Sequence, residues 1–159
     1  MILLVCSIIL FNFLLYKTVK GISVNKIVHL WTFTIAFQLF FDVFIDLKYK
    51  GYWYFTQGVD WVGTPAYIML IPPVNIMFVN WYPFEKTIII KIGYFLIWEI
   101  FLLGYETLAL SPHPFGYFHY GWWNVWHSAV VNPVLLIIVL TYYKWICKLE
   151  VKACKAKIE

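Results

Sequence analysis

Apolar stretches long enough to cross a bilayer follow one another along almost the whole chain, and they leave little choice of fold. They run from Met1 to Tyr16, Ile27 to Leu47, Trp61 to Trp81, Thr87 to Leu108 and Trp122 to Ile146. A spanning helix needs about 17 to 25 residues, so the first stretch is short unless it continues through Val19, and the other four fit. With 63% hydrophobic and 13% charged residues, the chain is far more apolar than a soluble domain, which averages about 45 to 50% apolar and about 25% charged. The expectation is an all-α membrane protein: one bundle of about five transmembrane helices over residues 1–147, with a basic tail over 148–159. A cleaved signal peptide is the rival reading of the first stretch. It lacks a basic leader and a small-residue cleavage site, and its lysines follow rather than precede it, so it reads as an uncleaved helix.

The lysines set an orientation. Lys17, Lys20 and Lys26 follow the first stretch, Lys86 and Lys91 flank the start of the fourth, and Lys144, Lys148, Lys152, Lys155 and Lys157 close the chain. Five spans put these ten on one side and leave only Lys48 and Lys50 on the other. Because positive charge is retained in the cytoplasm, the N-terminus is expected outside and the C-terminus inside. Four spans would move one lysine cluster to the wrong side unless the first stretch lies in the interface.

On this topology the polar residues gather toward the outer half. Gln38, Asp42 and Asp46 recur every four residues and share one helical face; Glu99 and Glu106, seven apart, share another. Asn124 and His127 begin the fifth stretch, with Asn132 and Pro133 deeper, and Asn75 follows Pro72 and Pro73 in the third. A charge near the bilayer centre costs at least about 2.5 to 3.5 kcal/mol, so it faces the bundle interior, a partner or water. Glu99 is the deepest acid, and His127 is its expected partner. The candidate binding residues are therefore Asp42, Asp46, Glu99, Glu106, His127, Asn75 and Asn124, with Asp42, Asp46, Glu106 and His127 as candidate ligands of a divalent cation. The plainer alternative is that each acid hydrogen-bonds a neighbouring Tyr, Trp or Asn and holds helices together.

Two outer loops are dense in aromatic residues: GYWYFTQGVDW from Gly51 to Trp61 and GYFHYGWWNVWH from Gly116 to His127. An interfacial belt accounts for part of this. The excess would also serve as a lid over the acidic cluster, or as a platform for headgroups, sugars or a cation. Pro112 and Pro114 keep the segment around His113 and His119 out of helix, along the surface. Pro72 and Pro73 remove two backbone donors in mid-span and predict a kink whose freed carbonyls other groups must satisfy.

Lys144, Lys148, Lys152 and Lys155 recur at helical spacing and form a basic stripe suited to anionic lipid. Nucleic-acid binding is a poor fit, since the chain has no arginine and no soluble domain. Cys6, Cys147 and Cys154 lack metal-ligand spacing and read as unpaired thiols.

The order of short motifs, with YWYF at Tyr52 to Phe55, GVDW at Gly58 to Trp61, Pro72-Pro73 with Asn75, YPF at Tyr82 to Phe84, Tyr105-Glu106 and GYF at Gly116 to Phe118, resembles a family of small multi-pass membrane proteins of low-GC, spore-forming bacteria. The resemblance runs from the second stretch through the fifth. It implies a bacterial cytoplasmic membrane and carries no activity, cofactor or catalytic residue.

No phosphate loop, His-Glu-x-x-His helix or nucleophile elbow is present to identify an enzyme. The expected function is binding or transport of a cation or small polar solute, for which a chain of this length would work as a homo-oligomer. A membrane enzyme acting on a lipid or lipid-linked substrate, and an accessory subunit pairing its acids with lysines of a membrane partner, are the alternatives.

Overall fold

A computed structural model describes residues 1–112 and 114–156; the expectations placed on His113 and Lys157 fall outside it. The described chain is helical apart from one short ladder. Helix α1 spans Ile2–Thr18. Helix α2 spans Val24–Asp42 and runs on through a π-helical turn at Val43–Lys48. A second π-helical turn, Ala66–Leu70, leads into α3 at Ile71–Trp81. Helix α4 spans Ile88–Ala109 and α5 spans Val125–Lys155. Strands β1, Tyr52–Trp53, and β2, His119–Tyr120, complete the elements.

Three helices are long and apolar enough to cross a membrane: Val24–Lys48, Ile88–Ala109 and Val125–Lys155, of 25, 22 and 31 residues. At about 1.5 Å per residue each exceeds the roughly 30 Å of a hydrocarbon core. Ile2–Thr18 and Ala66–Trp81 are shorter. The outward faces of the three long helices remain apolar and open, with Val28 and Phe40 on α2, Ile89, Ile97 and Ile100 on α4, and Val130 and Ile137 on α5 all exposed. A soluble monomer rarely leaves so much contiguous apolar surface uncovered, whereas lipid covers it without cost. These features fit a membrane protein.

Local chemistry shifts the helix boundaries from those expected. The third begins later than Trp61, because the Asp60 carboxylate accepts from the backbone N–H groups of Thr56 (3.0 Å), Val62 (2.8 Å) and Gly63 (3.3 Å) and folds the approach into a turn. The fifth begins at Val125 rather than Trp122. Asn124 caps it, accepting from Trp126 N at 3.0 Å and His127 N at 3.3 Å. It also runs unbroken to Lys155, so the described part of the basic tail continues the helix.

Helix α3 occupies the centre. Ile76, Met77, Phe78 and Val79 are almost wholly buried, with α1, α2 and α5 packed around them. Helix α4 joins through Tyr94, whose hydroxyl donates to Phe78 O at 2.6 Å, and through the edge of Trp98 on Phe78, 5.6 Å between centroids. The two prolines do not kink a continuous helix as expected. They sit in the first turn of α3, directly after the π-helical turn. Lacking N–H groups, Pro72 and Pro73 cannot bond back to the carbonyls of Ile68 and Met69. Trp31 Nε1 of α2 donates to Ile68 O at 3.0 Å, and Asn12 Nδ2 of α1 donates to Met69 O at 2.8 Å. The break in one helix thus becomes the point where two others are attached to it.

Successive helices alternate in direction. Met1 N lies 3.4 Å from Pro114 O near the β1–β2 ladder, while at the far end Lys26 Nζ pairs with Glu150 Oε2 at 3.1 Å. These are the ladder end and the lysine end of the bundle.

Candidate functional site

The ladder decides what the polar residues do. Strands β1 and β2 are antiparallel, with Tyr52 opposite Tyr120 and Trp53 opposite His119. Directly opposed residues project to the same face of a ladder, so the two tyrosines enter the bundle together. The Tyr52 hydroxyl donates to Asp42 of α2, and the Tyr120 hydroxyl donates to Glu106 of α4. On the other face Trp53 and His119 stack, 6.1 Å between centroids.

Glycines permit this closure. Gly51 O accepts from Gly121 N at 2.8 Å and from Trp123 N at 3.0 Å. A Cβ on Gly121 would lie 2.2 Å from Lys50 O, and one on Gly116 would lie 1.8 Å from Ser111 O. Neither position admits a side chain without moving backbone. Trp123 then packs edge-on to Tyr52 at 5.6 Å, and Phe118 lies 5.1 Å from the same ring. Burial raises the Tyr52 phenol well above its ordinary pKa, and the neighbouring Asp42 adds to the shift. Tyr120 is raised in the same way by burial and then by Glu106.

Beneath this roof lie two adjoining cavities of about 220 and 170 Å³, which share Tyr54, Tyr105, Glu106, Phe118 and Asn132 in their walls. Thr34, Gln38, Tyr52, Asn75, Trp123 and Ser128 contribute to the larger. Glu106 Oε1 accepts from Ser128 Oγ at 2.6 Å as well as from Tyr120, and Trp123 Nε1 donates to Ser128 Oγ at 2.8 Å. Gln38 Nε2 reaches both Asp42 oxygens, at 3.1 and 3.2 Å. Asn75 Nδ2 donates to Thr34 Oγ1 at 3.3 Å. The chain matches no protein-family model, no curated protein and no solved structure.

Apart from Glu99, the expected site residues divide into three groups. Glu106 and Asn75 line the cavity, and Asp42 anchors two lining residues, Gln38 and Tyr52. Asp46 is buried in the π-helical turn but does not line it: the wider turn at Val43–Lys48 breaks the every-fourth-residue phase that had placed it beside Gln38 and Asp42. His127 and Asn124 stand apart. His127 Nδ1 lies 3.0 Å from Asn124 Oδ1, and its ring packs against Trp122 and Trp123.

His127 is accordingly not the partner of Glu99. That role falls to Asn132, whose Nδ2 approaches Glu99 Oε1 at 3.4 Å, while Glu99 Oε2 is buried without a partner among the described residues. No three His, Cys, Asp or Glu among the described residues converge as a metal site. The proposed ligands Asp42, Asp46, Glu106 and His127 thus do not converge: Asp42 is engaged by Tyr52 and Gln38, Glu106 by Tyr120 and Ser128, and His127 lies against Asn124. Tyr52, Tyr120 and Ser128 are the residues the sequence reading missed. The one available signal was a glycine beside a tyrosine in each aromatic loop, at Gly51-Tyr52 and Tyr120-Gly121.

Proposed function

We propose that this protein binds a small polar solute or cation within the membrane, in the cavity under the aromatic ladder. The observation that carries this reading is the cavity itself: about 220 Å³ inside a bundle of apolar helices, walled by Gln38, Asn75, Glu106, Ser128 and Asn132. These groups pair across helices, as groups that join helices do, and they also border open space. Here they surround a volume large enough for several waters or a small molecule. The ladder forms the roof of this cavity, held down by the Tyr52–Asp42 and Tyr120–Glu106 contacts.

In the orientation given by the lysines, the ladder end faces outward and the lysine end faces the cytoplasm. Five spans, a bacterial cytoplasmic membrane and anionic lipid along Lys144, Lys148, Lys152 and Lys155 complete the proposal. Thermal unfolding of the purified chain in nanodiscs, against a panel of small amines, alcohols, amides and carboxylates, tests it. A solute of the bound class raises the midpoint in the natural chain and not in Val131→Phe, which fills the wall of the cavity. If no member of the panel acts through the cavity, the reading fails.

A further inference from the structure

Most of the bonded donors around the cavity are directed at carboxylates or at each other, while the Tyr54 hydroxyl also lines it with no partner among the described residues. Tyr52 and the Gln38 amide nitrogen address Asp42; Tyr120 and Ser128 address Glu106; the Asn132 amide nitrogen addresses Glu99 and that of Asn75 addresses Thr34. These bonds engage the amide nitrogens, with a second N–H left over on Asn75 and on Asn132. The carbonyl oxygens of Gln38, Asn75 and Asn132 receive no hydrogen bond from the described residues. Both donors to Glu106 fall on Oε1, so Oε2 is likewise spared. The wall therefore offers three amide oxygens and one carboxylate oxygen beside a few neutral donors, and no described lysine lines it. Aromatic residues share the same wall: Phe11, Phe41, Phe101, Phe118 and Trp123.

The geometry points to a small organic ammonium ion as the occupant, with its N–H groups on Glu106 Oε2 and the amide oxygens and its apolar body against the rings. This inference rests on the reading of the cavity as a solute site and goes further by fixing the ligand's charge and shape. A bare divalent cation is disfavoured by the same walls. Such ions take several oxygen ligands, usually with more than one carboxylate, and Glu106 is the sole carboxylate among the described lining residues. An ammonium needs one counter-charge, a few acceptors and aromatic faces, since a cation is attracted to the negative face of a ring and gains most where water is excluded. The anchored side of Glu106 also matters. Tyr120 and Ser128 fix the carboxylate from one direction, so the free oxygen is pre-set for the ligand rather than ordered on binding.

The test compares three probes of nearly equal shape, phenethylammonium, 2-phenylethanol and phenylacetate, by calorimetric titration of the full chain in phosphatidylcholine nanodiscs, with empty discs subtracted. Phenethylammonium is expected to bind at least about tenfold more tightly than the alcohol, the ratio expected of one charge-assisted contact, and phenylacetate is expected not to bind. Glu106→Gln, which keeps an oxygen for Tyr120 and Ser128, should bring amine and alcohol to within about twofold of one another, with the unfolding midpoint checking that it folds. Equal binding of amine and alcohol by the natural chain, abolished by Val131→Phe, overturns the ammonium inference and leaves the solute site standing. Amine binding that survives Val131→Phe overturns both, as does the absence of binding by all three probes.

Discussion

The two ends of the bundle hold their carboxylates in opposite ways. At the lysine end Glu150 is served by three groups: Lys26 Nζ at 3.1 Å, Asn25 Nδ2 at 2.8 Å and Ser23 Oγ at 3.3 Å. That cluster joins the start of α2 to the end of α5 in the open. At the ladder end Asp42 and Glu106 are held by neutral hydroxyl and amide donors beneath aromatic rings, Asp42 buried and Glu106 half-buried. Exposed ion pairs contribute little, because water and salt already solvate both charges. Buried acceptors are costly to leave unmade. The ladder end should therefore be fragile to single changes and the lysine end tolerant of them, although only the latter contains a formal salt bridge among the described residues.

The largest effect is expected at Gly121. In Gly121→Ala the new Cβ meets Lys50 O at 2.2 Å, and relief requires moving the backbone that donates to Gly51 O. A loss of about 3 kcal/mol is expected, the upper end of ordinary single-residue effects, read as a lower midpoint in denaturing-detergent titration. Unchanged stability would mean that the ladder does not close as described.

Tyrosine deletions come next and separate the two acids. Tyr52→Phe leaves a fully buried Asp42 with only Gln38, at a cost of about 2 kcal/mol. Tyr120→Phe leaves the half-buried Glu106 with Ser128, at a cost of about 1 kcal/mol. Base titration provides a second readout. Burial raises both phenols in the folded chain, so the folded state holds these protons more tightly than the unfolded state, where tyrosine titrates near about 10. Their contribution is complete below about pH 10 and declines as the pH climbs above it. The double variant should show a shallower alkaline loss of stability than the natural chain.

These residues also mark how far sequence reasoning reached. Gln38 and Asp42 were legible, because both lie in regular helix where a spacing of four fixes a neighbour. The helical class and the long apolar segments were legible for the same reason, since hydropathy acts over local windows. Asp46 escaped because a π-helical turn changes the phase, and nothing in VFIDLK announces one. His127 was misplaced because its position on α5 depends on Asn124 acting as the cap, which draws the imidazole back toward the helix start and onto the tryptophans. Tyr52 and Tyr120 were missed because their pairing depends on the register of two loops far apart in sequence. The prolines lie between these extremes. Freed carbonyls were predictable, but their partners Trp31 and Asn12 come from two other helices.

The smallest effect is expected at the lysine end, and it sharpens the comparison most. Lys26→Ala removes the charge partner of Glu150 and leaves Asn25 and Ser23 as donors, with open solvent to complete the shell. Its unfolding midpoint should stay within error of the natural chain. Whatever difference exists at low salt should vanish near 1 M, where the Debye length falls to about 3 Å. Tyr52→Phe, acting through a neutral donor beneath the aromatic roof, should lose the same stability at both ionic strengths. A salt-sensitive Tyr52→Phe, or a Lys26→Ala penalty that persists at high salt, would reverse the assignment of which end holds the more deeply buried carboxylate. The roof over Asp42 and Glu106, on which the cavity's character depends, would then have to be redrawn.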